Sequence, residues 1–259
     1  MSDIYYGSSV ADATFTSGCD MGKNVATGGT ETSKTSTVTG ANNFAEIASQ
    51  GGSIADVTAI PSTPTGKGWF YPLAAESIPG GLYTPVITLS FAGVASGLTL
   101  TVRAFYIPAG VLANAVLLGS GTASISVATK TVYSPTTFTP GSRATVVGDY
   151  LGFDAWYQDT GGASGDNPTV YESTNTSQGV VNEVQWTLPV FVPAVGAGLP
   201  LPLPITPGAV IGPSIWQGPP GLKYPSKMGP VIRRANNVFR NGGGLMGKNV
   251  LRRKWWQVL

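Results

Sequence analysis

The sequence contains no histidine, a single cysteine and few charged residues. Without histidine, the chain cannot build a Ser-His-Asp or Cys-His catalytic arrangement or a histidine-containing metal site, and it lacks the most common general base. Because Cys19 has no second cysteine to meet, no disulfide can form within one chain. Charged residues make up 11% of the chain, well below the roughly 25% of a typical soluble domain. These absences predict a protein that is not an enzyme and that uses no cofactor.

The abundant residues favour short strands joined by turns. The chain has 35 glycines and 20 prolines together with many threonines and serines, a composition that suits turns and strands better than helices. Alternating apolar and polar residues predict strands at 4–6, 35–38, 68–73, 82–93, 98–107, 122–128, 131–138, 144–159 and 168–173. Segments 122–128 and 131–138 are expected to pair with each other. The predicted fold is all-β, an antiparallel, jelly-roll-like β-sandwich over residues 1–188.

Proline changes the character of the chain after residue 188. Residues 189–230 contain eleven of the twenty prolines, and no charged residue lies between Val184 and Leu222. Proline donates no ladder hydrogen bond and restricts the residue before it, so this segment is predicted to be an extended arm. The recurring prolines also argue against a membrane-spanning helix. Two interpretations remain open: the arm lies along a partner's surface, or it packs back on its own domain.

The formal net charge of +2 conceals a strong partition. Residues 1–183 carry six basic and thirteen acidic side chains, a formal charge of −7, whereas residues 184–259 carry nine basic side chains and no acidic one. Asymmetry of this kind is typical of a body with an interaction arm, and a dispersed solvated surface is the simpler alternative.

The last segment, residues 231–259, is predicted to be a basic anchor with two short amphipathic helices. Apolar residues recur with helical spacing from Val231 to Phe239, "NGGG" interrupts the pattern, and a second pattern runs from Met246 to Val258. Helices this short need a partner to order them. An acidic protein surface is the favoured partner, with a nucleic-acid backbone or an anionic membrane surface as alternatives. The predicted partner-binding residues of the arm and tail are Trp216, Arg233, Arg234, Phe239, Arg240, Lys248, Arg252, Arg253, Lys254, Trp255 and Trp256.

One stretch of the tail nearly matches a phosphate-binding loop. Gly242, Gly247 and Lys248 satisfy the pattern G-x-x-x-x-G-K, but Asn249 stands where the Mg²⁺-binding Ser or Thr hydroxyl belongs. The preceding "VIRRANNVFR" does not have the pattern of a buried parallel strand. We therefore predict no nucleotide site.

Carboxylates are the remaining candidates for catalysis or metal binding. Asp149, Asp154 and Asp159 follow one another at intervals of five, and a glycosidase pair would have to assemble across strands. In the loop 159–168, Asp159, Asp166 and Asn167 offer oxygen ligands for Ca²⁺, without the regular spacing of a calcium loop. A polar turn is the preferred interpretation, so no catalytic or metal-binding residue is assigned.

Aromatic residues in the predicted strands support one further hypothesis. Trp69, Tyr71, Trp156 and Tyr157 would suit stacking against sugars if their rings were exposed. Alternating aromatic residues in a sandwich more often form its core, so carbohydrate binding is the secondary interpretation.

The order of the segments "DIYYGSSVADATF", "LYTPVITLSFAG", "GLTLTVRAFYI" and "GDYLGFDAWYQD" resembles a loosely defined group of tailed-bacteriophage structural proteins. These proteins begin with a short aromatic strand, enter Thr/Ser/Gly-rich loops and continue as a jelly-roll-like sandwich. They carry an "L-x-L-x-V-x-x-F/Y" strand and a late "G-D-x-L-x-x-D-x-W/Y" strand. The resemblance covers residues 3–175 and includes no catalytic motif. It implies a virion component such as a capsid decoration, vertex, neck or tail-fibre protein.

The sequence as a whole predicts a non-enzymatic structural component of a bacteriophage particle, anchored by its C-terminal arm. Its expected partners are other virion proteins of the capsid, portal or tail, in a multi-copy homo- or hetero-oligomer. The expected location is the virion, assembled in the host cytoplasm, because "MSDIYYGSSV" lacks the basic start and apolar run of a secretory signal. The alternative is a receptor- or glycan-binding fibre domain or a carbohydrate-binding module.

Overall fold

The computed structural model describes residues 1–23, 26–40, 43–93, 97–159 and 167–193, and within these ranges the chain is built from β-strands. The helical pieces in the described ranges are two single 3-10 turns, Pro108–Gly110 and Leu112–Asn114. The predicted all-β class is confirmed. Among the described residues, no helix has the length and apolar character needed to cross a membrane.

The strands of the described residues are numbered in chain order. They are β1 (Ser2–Ala11), β2 (Cys19–Lys23), β3 (Ala26–Thr27), β4 (Glu31–Thr39), β5 (Phe44–Glu46), β6 (Gly52–Val57), β7 (Trp69–Pro72), β8 (Glu76–Ile78), β9 (Thr84–Phe91), β10 (Leu98–Ile107), β11 (Val116–Ile125), β12 (Thr131–Tyr133), β13 (Arg143–Ala144), β14 (Tyr150–Gln158), β15 (Pro168–Ser173), β16 (Gln178–Gly179), β17 (Gln185–Pro189) and β18 (Val192–Pro193).

Most of these strands belong to one large mixed sheet. Its order is β11-β10-β14-β5-β6-β4-β15-β9-β17-β1-β2-β7, with β12 paired to β9 beside this path. Strand β7 also pairs with β14, where Trp69 lies opposite Phe153. The pairing of β7 with β14 therefore closes the strands from β14 to β7 into a ring. A separate three-stranded sheet has the order β13-β8-β18.

The prediction of an antiparallel sandwich holds only in part, because the large sheet also contains parallel strand pairs. Strand β2 runs parallel to β7, β4 runs parallel to β6, and β1 meets β15 in parallel. Alternating apolar and polar residues indicate that a strand has a buried face, but they do not indicate its neighbour or the direction in which the two strands run. The mixed sheet follows from pairings between strands that are distant in the chain, which the local pattern cannot specify.

A single large hydrophobic core joins the strands of the closed path. Its most deeply buried members include Tyr5, Ile54, Trp69, Leu89, Leu100, Phe153, Tyr157 and Val170. A second, smaller cluster of Phe15, Phe70, Phe105 and Ile107 covers the opposite face of β7 and β10. Strand β10 is consequently buried on one face at its start and on both faces towards its end, which is why its simple alternation stops near Arg103.

Several predicted strands coincide with observed ones, and one predicted pairing does not occur. Strands β10 and β15 have the bounds predicted at 98–107 and 168–173. The expected pairing of 122–128 with 131–138 is wrong, because β11 pairs with β10 and β12 pairs with β9. Strand β11 begins at Val116, earlier than predicted, since "VLLGSG" shows no alternation.

The predicted boundary at residue 188 stays a prediction. Leu188 and Phe191 are buried in the core, and Val192 pairs with Ser77 in the three-stranded sheet. The β structure of the described residues thus continues to Pro193. Most of the predicted arm, 189–230, and the whole of the predicted anchor segment, 231–259, lie outside the described residues.

Candidate functional site

All predicted partner-binding residues lie outside the described ranges. These are Trp216, Arg233, Arg234, Phe239, Arg240, Lys248, Arg252, Arg253, Lys254, Trp255 and Trp256. The loop residues Gly242 to Asn249 lie outside them as well. The described residues instead reveal how the acidic half of the chain arranges its charges, and they include an open groove.

The acidic residues of the body are mostly enclosed in it. Eight of the twelve that the structure describes are buried, namely Asp3, Asp12, Glu46, Asp149, Asp154, Asp159, Glu172 and Glu183. Burying a carboxylate is costly unless it is paired, hydrogen-bonded or protonated. Each of these groups must therefore meet a compensating contact or hold its proton.

Asp154 is compensated by the only buried arginine of the described residues. Arg103 Nε donates to Asp154 Oδ1 at 2.9 Å, and Arg103 Nη2 donates to Asp154 Oδ2 at 2.5 Å. The guanidinium group also lies 4.7 Å from the ring centroid of Phe105, and it donates to the Pro61 carbonyl at 2.5 Å. Direct opposition of Arg103 and Asp154 on neighbouring strands β10 and β14 places the two groups together. Arg103 therefore connects the segment around Pro61, through the hydrogen bond to its carbonyl, with strands β10 and β14.

Glu46 lies near the Arg103–Asp154 ion pair, and its surroundings favour the protonated carboxyl group. Thr65 Oγ1 donates to Glu46 Oε2 at 2.5 Å, whereas Glu46 Oε1 meets no hydrogen-bond partner among the described residues. Burial, and to a lesser degree the nearby Asp154 carboxylate, raises the pKa of Glu46 to about 7. A carboxyl with this pKa is only partly ionised at neutral pH.

Glu172 is the most enclosed carboxyl group. Its side chain is fully buried, and Trp69 Nε1 donates to its Oε2 at 2.7 Å. Burial raises the pKa of Glu172 to about 8. Burial, together with Glu172 nearby, likewise raises the pKa of the Cys19 thiol to about 12. Cys19 therefore remains a neutral thiol, buried in β2.

Lys130 compensates two carboxyl groups near the surface. Its Nζ contacts Glu31 Oε2 and lies 3.0 Å from Glu183 Oε1. The ammonium group also lies 4.4 Å from the ring centroid of Tyr171. Burial, and then the Glu31 carboxyl, raises the pKa of Glu183 to about 7. Lys130 thus pairs with both Glu31 and Glu183, and Glu183 is partly protonated at neutral pH.

The three aspartates considered for catalysis have structural positions. Asp149 Oδ1 accepts from the Ala109 amide at 2.9 Å, and its Oδ2 accepts from the Tyr106 hydroxyl and the Val146 amide. Although burial opposes ionisation, these hydrogen bonds hold the pKa of Asp149 below its ordinary value. Asp154 is paired with Arg103, and Asp159 is buried at the end of β14. Asp149 and Asp154 are therefore held in place by contacts that fix turns and strands.

The possible Ca²⁺ loop is only partly described. Asp166 lies outside the described residues, and Asn167 Oδ1 accepts from the Val38 amide at 2.9 Å. Within the described ranges, no group of three or more acidic, cysteine or histidine side chains has the arrangement of a metal site.

Three of the four aromatic candidates belong to the core. Trp69, Trp156 and Tyr157 are each at most 2% exposed, which confirms the core interpretation for them. Tyr71 differs, because it is only half-buried and lines a groove at the end of β7. The sequence pattern did not distinguish these four residues, since the exposure of each depends on what packs against its strand.

The groove has a volume of about 420 Å³ and opens beside the end of β2. It is lined by Asp20, Met21, Gly22, Lys23, Tyr71, Pro72 and Thr176. The parallel pairing of β2 with β7 brings the two strand ends together. Sequence reasoning missed Asp20, Lys23 and Thr176, because they stand in polar segments that predict loops and carry no motif.

Two charged side chains of the groove are held by their neighbours. Lys23 Nζ lies 2.8 Å from Asp3 Oδ2 and 5.2 Å from the ring centroid of Phe191. Burial, and then the Asp12 carboxyl, raises the pKa of Asp20 to about 6. Tyr71 packs edge-on against the ring of Tyr5, with centroids 5.0 Å apart. Lys23 and Tyr71 are therefore held in defined positions.

No protein-family model matches this chain, and no curated protein matches it.

Proposed function

We propose that this chain is a non-enzymatic structural component of a bacteriophage particle, attached to the particle by its C-terminal arm. Its place is a capsid decoration, vertex, neck or tail-associated position, among capsid, portal or tail proteins in a multi-copy assembly. The described body is proposed to be a jelly-roll-like sandwich, which the closed path of the large sheet supports.

The observation that supports this proposal is that the charges of the body are balanced within it, whereas those of residues 184–259 have no acidic counterpart in their own segment. The body has a formal charge of −7 over residues 1–183, but most of its carboxyl groups are buried, paired with its own basic residues or partly protonated. The nine basic residues of 184–259 have no acidic neighbour within their own segment. A body that encloses its acids offers few of them to a basic tail. A partner outside the body is therefore the favoured target of the tail.

The sequence of the tail favours a protein partner. Seven basic residues are combined with Phe239, Trp255 and Trp256 in residues 231–259. Buried aromatic and arginine anchors supply most of the binding energy of protein interfaces. The uncharged, proline-rich segment before the tail offers little to a phosphate backbone, whose affinity depends on the number of cationic contacts.

Attachment can be tested with full-length variants produced during infection or particle assembly. Particles are purified, and the number of copies of the chain per particle is measured by quantitative mass spectrometry. We expect the unmodified chain in the particles, reduced occupancy for Arg252→Glu/Arg253→Glu, and a larger loss for Trp255→Ala, since an aromatic anchor contributes about 2 kcal/mol or more. Arg143→Glu, an exposed change in β13 of the body, is the matched control and should leave occupancy unchanged.

Other outcomes would contradict this proposal in different ways. Absence of the unmodified chain from purified particles refutes the structural role. A dominant effect of the arginines, together with a steep salt dependence of the unmodified chain, indicates nucleic acid as the partner of the tail.

A further inference from the structure

Residues 58–67 lie between strands β6 and β7, and we call them the covering loop. Arg103 Nη1 in β10 donates to the Pro61 carbonyl of this loop at 2.5 Å. Thr65 Oγ1 of the loop donates to Glu46 Oε2 in β5, also at 2.5 Å. Among the described residues, these are the two hydrogen bonds that join the covering loop to the large sheet.

Both hydrogen bonds end on one cluster of buried charged side chains. Glu46, Arg103 and Asp154 are 4%, 5% and 1% exposed. Arg103 pairs with Asp154, whereas Glu46 Oε1 has no hydrogen-bond partner within the described ranges. Because Thr65 is itself exposed, moving the covering loop away would give water access to the Glu46 carboxyl group.

The cluster accommodates a neutral Glu46 better than an ionised one. A buried carboxylate needs donors or a cation, and the Arg103 guanidinium is already engaged by both oxygens of Asp154. The carboxylate of Asp154 in β14 opposes a second negative charge beside it, whereas Lys67 of the loop and Arg103 favour one. Water would hydrate an ionised Glu46 fully, so ionisation favours the arrangement in which water reaches it.

We propose that the covering loop is a pH-dependent cover of this cluster, which stays closed while Glu46 holds its proton and opens when Glu46 ionises. Opening breaks the Thr65 hydrogen bond and exposes the carboxylate, and the strands beneath stay paired. The cover is independent of particle attachment, and failure of one leaves the other standing.

The direction of the pH effect follows from the burial of Glu46. Burial, together with the Asp154 carboxyl and against the Thr65 hydrogen bond, raises the pKa of Glu46 from 4.5 to about 7 in the closed form. In the open form, water returns this pKa towards its ordinary value. The open population should therefore rise as the pH increases from 4.5 to 7 and level off above 7.

Native-state proteolysis of the full-length chain tests the proposal. Thermolysin cuts before large apolar residues, and the bond between Ala59 and Ile60 offers such a site in the covering loop. Cleavage of a folded protein tracks the population of the open form when opening and closing are fast. The rate at this bond is measured by mass spectrometry at pH values from about 5.5 to 8 and divided by the rate for a free peptide of the same sequence.

We expect the normalised rate to rise by about tenfold or more between these pH values, since one unit of pH changes a linked equilibrium by up to about tenfold. Glu46→Gln cannot ionise and should abolish the rise. Glu172→Gln, the matched control, removes another buried carboxyl group, whose hydrogen bond comes from Trp69, and should leave the rise intact. A rate that does not depend on pH, or a rise that persists in Glu46→Gln, overturns the proposal.

Two further measurements keep the test valid if Glu46→Gln does not fold. Thr65→Val removes the hydrogen bond to Glu46 and should be cut faster at pH 5.5 than Thr63→Val, a change at an exposed position of the same loop. Equal rates for these two variants contradict the cover. Cuts within β10 and β14, measured in the same digests, report unfolding of the whole body. If they increase with pH in parallel with the loop cut, the opening is global and the proposal is overturned.

Discussion

The body up to Pro193 and the chain after it differ in how their charges can be satisfied. In the body, Arg103 meets Asp154, Lys23 meets Asp3, and Lys130 meets both Glu31 and Glu183. Glu172 and Glu46 have pKa values of about 8 and 7 and remain largely or partly protonated at neutral pH. After Pro193 the chain has basic residues and no acidic one.

This difference shows that a formal charge is not a surface charge. A count of side chains assigns −7 to residues 1–183, and that count alone suggests an acidic surface suited to the chain's own basic tail. The structure encloses eight of those acids. Most of the acidic residues of the body therefore lie in its interior, where each carboxyl group interacts with neighbouring residues of the body.

The largest expected loss of stability comes from breaking the buried ion pair between Arg103 and Asp154. Arg103→Met leaves the carboxylate of Asp154 buried without its guanidinium partner. Removing one member of a buried ion pair typically costs about 3–5 kcal/mol of unfolding free energy, and urea unfolding measures this loss.

The matched control removes the charge of Glu31, whose side chain is 40% exposed and pairs with Lys130, which is 41% exposed. An exposed ion pair contributes only about 0.2–1 kcal/mol, so Glu31→Gln should cost far less than Arg103→Met. Equal losses for the two variants would show that the buried pair is not the distinctive feature of the body.

A smaller effect is expected from pH, through the protonated carboxyl groups of the interior. Burial raises the pKa of Glu172 from 4.5 to about 8, so the folded state holds this proton more tightly than the unfolded chain does. The stabilisation is therefore fully present below pH 4.5 and is lost as the pH rises through 8. Glu46 and Glu183 act in the same direction, with pKa values of about 7.

Unfolding by urea at pH 5 and at pH 8 should show this dependence. One unit of pKa shift corresponds to about 1.4 kcal/mol, so we expect the unfolding free energy to fall by more than about 2 kcal/mol between the two values. Glu172→Gln cannot ionise and should reduce the fall, with the Trp69 indole still able to donate to the amide oxygen. Equal stability of the body at both pH values, or higher stability at pH 8, would contradict the prediction that interior carboxyl groups are protonated.

The strands could be predicted from the sequence where one face is buried and the other is polar. In β10, Leu98, Leu100 and Val102 alternate with threonines, and its predicted bounds are those observed. In β11 the pattern fails, because "VLLGSG" contains two glycines in an edge strand with exposed valine and leucine. Alternation arises from unequal burial of two faces, so the start of β11, where no residue from Val116 to Ser120 is fully buried, carries little signal.

The interior ion pair and the groove could not be predicted, since both depend on pairing between distant strands. Arg103 and Asp154 are 51 residues apart and meet because β10 lies beside β14. The groove residues of β2 and β7 come near each other because the two strands pair in parallel. The sequence shows these residue types, but the distance between them is set by the topology.

Removal of residues 198–259 tests most directly whether the chain is held in its assembly by its C-terminal segment. All strands of the described body lie before this cut, so the shortened protein should fold, with a melting temperature within about 2 °C of the full chain. Purified particles should then contain the full-length chain and lack the shortened one. If the shortened protein occupies particles as fully as the complete chain does, the body makes the attachment and the anchoring role of the tail is contradicted.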